Sequence, residues 1–189
     1  MESALIVTSS EKGIAFFTEM LAMASVTDIA TLRTGSEARR LLMDRDFDLV
    51  IINAPLRDES GENLAKYVAG RGISQVILVV KSEHFEAVSA QTEEYGVLTV
   101  AKPINRAIFW TALKLAKAAH AKLKQLRTEN TMLEQKLEDI RIIDRAKCIL
   151  ISYLGMSEKE AHRYIEKRAM DMRITKKAVA EGILRTYET

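Results

Sequence analysis

Five short apolar runs, rich in β-branched residues, dominate the first half of the chain: ALIVT (4–8), TDIATL (27–32), DLVII (48–52), VILVV (76–80) and VLTVA (97–101). Between them apolar positions recur at helical spacing, as from Glu11 to Ala24, where Phe16, Phe17, Met20 and Leu21 fall together. Such alternation builds βαβ units on a parallel sheet. The near-continuous apolar character of the third and fourth runs predicts strands covered on both faces. The expected architecture is α/β, a flavodoxin-like domain of five βα units ending near Pro103. In open sheets of this kind chemistry sits at the carboxyl ends of the strands. There the third run ends on an amide, Asn53.

From Asn105 to about Leu154 the chain contains neither Pro nor Gly, which predicts one long helix. With Phe109 at position a, the heptad a and d sites are Phe109, Ala112, Ala116, Ala119, Leu123, Leu126, Asn130, Leu133, Leu137 and Ile140, until Asp144 breaks the seam. The Ala-rich start could instead pack on the sheet. The Leu-rich part has no local partner and predicts a parallel two-stranded coiled coil, with Leu123, Leu126, Asn130, Leu133, Leu137 and Ile140 at the dimer seam. A single Asn at an a site fixes register and strand number at some cost in stability; the alternative is a solvated side chain on a lone helix.

The last 45 residues predict a compact helical unit. Gly155 can end the long helix in a left-handed cap. Ser157 with Glu160 forms a capping box, and Thr175 can cap a third helix, KKAVAEGILRTY. Ala161, Ile165, Ala169 and Met172 share one face, and Ala178 or Val179 pairs with Ile183 on the next helix. Arg163, Lys167, Arg168, Arg173, Lys176 and Lys177 fall mostly off those faces.

Charge is divided unevenly. Residues 1–104 carry 10 Lys+Arg against 15 Asp+Glu, whereas residues 105–189 carry 18 against 11, so the second half suits a polyanion. One cysteine, Cys148, excludes an internal disulfide and fits a reducing compartment; flanked by Ile149 and Leu150, it reads as a core thiol. His84, His120 and His162 show no metal-ligand spacing, and no glycine-rich phosphate loop is present. No apolar stretch approaches the roughly 18 residues of a membrane span. A cytoplasmic protein with no cofactor and no enzymatic activity is the expectation.

Two resemblances now follow from particular residues. "DLVIIN" stands where response-regulator receiver domains carry D-L-V-L-L-D, and "VAKPI" resembles the Lys-Pro end of their fifth strand. The tail resembles an ANTAR domain, an RNA-binding antiterminator module: Ala146-Lys147, then Gly155-Met156-Ser157-Glu158-Lys159-Glu160-Ala161, then Ala169-Met170. The resemblance implies a pseudo-receiver over 1–104, a coiled-coil dimerisation helix over 105–140 and a three-helix ANTAR-type domain over 141–189. In a phosphorylatable receiver the Asn53 position holds a carboxylate nucleophile, Thr8 and Ser9 an acidic pair for Mg²⁺, and Val80 a hydroxyl; of that set only Lys102 remains. Asp58 and Glu59, in the next loop, could attract a cation or form a solvated acidic loop.

For the tail the resemblance implies contact with RNA hairpin loops, with Lys147, Lys167, Arg168, Arg173, Lys176 and Lys177 on phosphates. Tyr153 and Tyr164 either stack on bases or pack half-buried. The expected activity is transcription antitermination through hairpins in nascent RNA, with a possible protein partner on the pseudo-receiver. Two other readings stay open. A DNA-binding helix-turn-helix at "YLGMS" would set Ser-Glu-Lys-Glu against phosphates; a protein-interaction adaptor would use the coiled coil alone.

Overall fold

The computed structural model describes residues 1–72 and 74–187. In chain order the elements are β1 (Ser3–Thr8), α1 (Glu11–Met23), β2 (Asp28–Leu32), α2 (Gly35–Asp44), β3 (Leu49–Asn53), α3 (Glu62–Gly70), β4 (Gln75–Lys81), α4 (Phe85–Thr92), β5 (Leu98–Lys102), α5 (Arg106–Leu154), α6 (Glu158–Met172) and α7 (Lys176–Tyr187). The strands form one sheet in the order β2-β1-β3-β4-β5, and every pairing is parallel. Two compact units result, Met1–Lys124 and Gln125–Thr189.

In the first unit the period of two along each strand sends alternate residues to opposite faces. Leu5 and Val7 of β1 join Val50, Ile52, Leu78 and Val80 beneath α2, α3 and α4, where Ala38, Leu42, Leu64, Val68 and Val88 cover them. Ala4 and Ile6 join Leu49, Ile51, Ile77 and Val79 on the other face, which α1 covers with Phe17, Met20 and Leu21. The rest of that face is covered by the first turns of α5: Phe109, Ala112, Leu113 and Ala116 are buried there. Thus Phe109, Ala112 and Ala116 belong to the sheet's core, the second of the two roles open to them. Phe16, Phe17 and Phe109 meet edge-to-face or tilted, with centroids 5.1–5.7 Å apart.

Polar contacts fix the same helix. The Asp48 carboxylate accepts the N–H groups of Glu2 (2.5 Å) and Ser3 (3.2 Å) and faces His120 Nε2 at 3.3 Å, while Lys117 Nζ donates to the Ala24 carbonyl at 2.7 Å. Burial pushes the Asp48 carboxyl up, but the two N–H donors, His120 and the N-terminal ammonium outweigh burial and hold it below its ordinary value.

The second unit closes around Ala146 and Leu150 of α5, Ala161, Ile165 and Ala169 of α6, and Val179, Ala180 and Ile183 of α7. Its helix ends follow the expected chemistry. Gly155 takes φ +64 after α5, Ser157 and Glu160 form a reciprocal capping box, and Thr175 Oγ1 accepts from Ala178 N at 3.1 Å. Two expectations are corrected. Cys148 is exposed, because α5 turns Ala146 and Leu150 inward and a residue midway between them points away. Met172 is 56% exposed, because the buried row of α6 ends at Ala169.

Phe109→Ala is expected to destabilise the first unit by about 3–5 kcal/mol, as large aromatic truncations in cores do. Urea unfolding followed by the fluorescence of Trp110, the chain's one tryptophan, measures the loss.

Candidate functional site

The carboxyl ends of β1 and β3 bring Thr8 and Asn53 together as register partners. Asn53 Nδ2 donates to Thr8 Oγ1 at 2.9 Å, and the Ser10 N–H donates to the same hydroxyl at 3.2 Å. The first turn of α1 presses on this pair. A Cβ placed on Gly13 would lie 2.9 Å from Asn53 Nδ2 and 3.1 Å from Thr8 Oγ1, so a side chain there would push the Asn53 amide aside. Lys102 Nζ donates to the Ala54 carbonyl at 2.5 Å; burial, then Lys81, lowers its pKa. Val80 is a buried strand residue that presents no hydroxyl, and Ser9 is half-buried.

This pocket does not fit Mg²⁺. Thr8, Ser9 and Asn53 offer neutral oxygens where a hard dication needs carboxylates, and the Asn53 amide turns a donor toward Thr8. Among the described residues no cluster of three or more His, Cys, Asp or Glu could hold a metal. Of the loop carboxylates Asp58 is exposed and Glu59 half-buried, and both accept hydrogen bonds from α2. Asp58 caps α2, accepting from Gly35 N (2.8 Å), Ser36 N (2.9 Å) and Ser36 Oγ (2.9 Å), and the Gly35 N–H foremost lowers its pKa to about 2. Glu59 forms a two-point ion pair with Arg39. Both side chains are committed to holding α2 against the loop.

In the second unit the basic residues fall into two groups. Lys147 bridges Asp144 (2.8 Å) and Glu158 (3.1 Å), and the hydrogen bond to Asp144 leads in raising its pKa. Lys177 pairs with Asp139 at 2.8 Å, and Lys176 pairs with Glu166, which His162 also faces at 3.3 Å. These three lysines are therefore partly neutralised. Lys167 and Arg173 are exposed and make no ion pair among the described residues, while Arg168 lies over the Tyr164 ring and donates to its hydroxyl at 2.5 Å. Tyr153 is 66% exposed, with the Tyr187 ring 5.5 Å away. Tyr164 packs half-buried against the helical core.

Residues 131–184 match the model of the ANTAR domain family. The chain carries an ANTAR domain. Its transcriptional relatives include the regulatory protein PdtaR of Mycobacterium tuberculosis, 28% identical over 171 residues that span 90% of this chain and 83% of that one. The Nitrate regulatory protein of Klebsiella oxytoca is 32% identical over 72 residues, 38% of this chain and 18% of that one. The sheet unit has the receiver fold. A receiver domain of an HD-domain protein from Pseudomonas fluorescens Pf-5 superposes with a TM-score of 0.56 at 21% identity, covering 65% of this chain and 91% of that one. A CheY-like receiver from Methylobacillus flagellatus gives 0.52 at 24% identity, covering 61% and 98%.

Sequence reasoning passed over several residues of the ANTAR domain. Ala180 is fully buried beside Val179, and Tyr187 packs at the end of α7. The helical row Val179, Ile183, Tyr187 was open to reading, as was the Asp144–Lys147 pair three residues apart on α5; the salt bridges from Lys147 to Glu158, Lys176 to Glu166 and Lys177 to Asp139 were not, since those partners lie on other helices.

The sheet pocket gives a direct test. Incubation with Mg²⁺ and a small phosphodonor is expected to leave the intact mass unchanged, and Asn53→Asp alone should not introduce a phosphoryl adduct, because Thr8 and Ser9 still supply no carboxylate. Mass spectrometry of the intact chain reads both outcomes.

Proposed function

We propose that this chain is a regulatory RNA-binding protein that promotes transcription antitermination, its ANTAR domain binding hairpins in nascent RNA and its receiver-type domain taking its input without phosphoryl transfer. The observation that carries the reading is the ANTAR domain itself, matched over 131–184. Within that domain Lys167, Arg168 and Arg173 are exposed cations and Tyr153 an exposed ring. Hairpin loops display unstacked bases that aromatic side chains and cations bind. The start of α6 does not suit a DNA-reading helix, because Ser157 and Glu160 are locked in a capping box and Glu158 pairs with Lys147.

Support for the second part is the neutral pocket of Thr8 and Asn53, in which Lys102 has turned to a backbone carbonyl. Signal then has to enter through a bound partner, for which a protein docking on the receiver-type unit is the simplest source.

The reading includes a homodimer. Along α5, Leu123, Leu126, Leu133, Leu137 and Ile140 are each 44–58% exposed at heptad spacing, with Asn130 exposed at an a site. A second copy pairing in parallel would bury that stripe and set the two Asn130 amides against each other. Asn130→Leu is expected to raise the melting temperature and to broaden the choice of oligomer, read by thermal unfolding and analytical sedimentation. A wild-type monomer at micromolar concentration would remove the dimer from the reading.

RNA binding is tested with the full chain. It should favour a stem-loop RNA over duplex DNA, and affinity should fall with salt at a log–log slope of about −0.7 to −0.9 per phosphate contacted. Charge reversal at Lys167 or Arg173 is expected to weaken binding with little effect on folding. Lys177 is a poorer probe, because reversing it also breaks the pair with Asp139. Equal affinity for hairpin and duplex with no salt dependence would refute the proposal.

A further inference from the structure

Between α6 and α7 the ANTAR domain has a cleft of about 270 Å³. Its floor is apolar, with Leu150 and Ile183 at the edge of the helical core, and its walls include the rings of Tyr164 and Tyr187. Met172, which the sequence placed in the packed face, stands exposed on its rim. Arg168 is the one charged group among the lining residues, and no carboxylate is among them.

Gly182 supplies a second, independent observation. It sits in the interior of α7, where glycine is the poorest helix former after proline. Nothing in the packing requires it. Its φ is not left-handed, and a Cβ placed there would meet no atom within 4 Å. What the missing side chain does is leave the cleft open, because Gly182 lines it.

We infer that this cleft receives one unstacked base of the bound RNA, held against the aromatic rings and Arg168 that line it. The inference rests on the RNA-binding reading and deepens it. The cleft lies below the about 300–1,000 Å³ of sites for drug-sized ligands, which suits a single heterocycle. A planar base offers π-faces to the aromatic rings that line the cleft and an edge to the guanidinium, and its flanking phosphates are groups that exposed cations of the domain can meet. Arg168 already donates through Nη1 to the Tyr164 hydroxyl, and its remaining guanidinium N–H groups are donors that a base edge can meet and a purely apolar partner cannot.

The test uses the full chain and a pool of RNA hairpins with randomised loops, from which the best binder is taken and remade with an abasic nucleotide at each loop position in turn. One abasic position should weaken wild-type binding by about 5- to 150-fold, the range of base–aromatic stacking. Gly182→Leu fills the cleft in an otherwise open place, so its circular dichroism and melting temperature should match or exceed those of the wild type. Its affinity for the intact hairpin should fall by a similar factor, with no further loss at that abasic position. Tyr187→Ala should repeat the effect and Tyr187→Phe restore binding, which keeps the test decisive if Gly182→Leu folds poorly. Unchanged binding by Gly182→Leu and Tyr187→Ala would overturn the proposal, as would a weakened dimer in sedimentation, which would assign the cleft to a second copy. If the wild type retains no hairpin from the pool, the RNA-binding reading fails first and the cleft proposal with it.

Discussion

A parallel sheet buried on both faces needs a cover for each, and the way this chain finds its second cover governs the use of its longest helix. α2, α3 and α4 close one face. On the other, α1 reaches only part of the surface, and Phe109, Leu113 and Ala116 of α5 complete it. Asp48 then fastens the helix through His120, and Lys117 ties it to Ala24. The early heptad positions are consumed by the sheet, so a seam for a second helix can begin only beyond them, at the Leu-rich part.

The neutral pocket at the strand ends follows from the same economy of contacts. Carboxylates at the Thr8, Ser9 and Asn53 positions would repel one another unless a cation lay between them, and that cation would need room. With a hydroxyl and an amide in their place the repulsion is gone, Asn53 can donate directly to Thr8, and α1 can bring Gly13 against both. Lys102 has no carboxylate to answer here, and its ammonium settles on the Ala54 carbonyl. The receiver fold therefore persists without the charge arrangement that phosphoryl chemistry requires, because the sheet's stability comes from its two apolar faces.

How far this was legible in the sequence depends on the range of the interaction. The strands, the length of α5, the Ser157–Glu160 capping box, the Gly155 cap and the start of α7 at Lys176 were all written in residues a few positions apart. Asn53, Thr8 and Lys102 could be placed at the strand ends because strand periodicity and order put them there. Other features required the fold. The cap that Asp58 makes on α2 joins two loops, the Asp48–His120 contact joins a strand to a distant helix, and Arg173 adopts a left-handed φ of 53° that no glycine announces. Cys148 and Met172 were misplaced for a subtler reason: apolar character predicts burial only on the side of a helix that another element covers.

The charge of the tail is likewise divided by what each side chain already touches. A count of Lys and Arg treats every cation as available to a polyanion, but an ion pair with a carboxylate must be broken or shared before the ammonium can serve a phosphate. Lys147, held by two carboxylates, has its pKa raised by them, and Lys177 is raised in the same way by Asp139. Such cations stabilise the helical unit and contribute to the long-range field, whereas Lys167 and Arg173 are exposed and form no ion pair among the described residues, and Arg168 is exposed beside Tyr164. Of these Arg168 alone is oriented, lying over Tyr164 and bonded to its hydroxyl. An oriented guanidinium confers geometry where an ammonium on a flexible stem confers only attraction, so on the proposed RNA-binding reading selectivity would arise around Arg168, and affinity from the charges beside it.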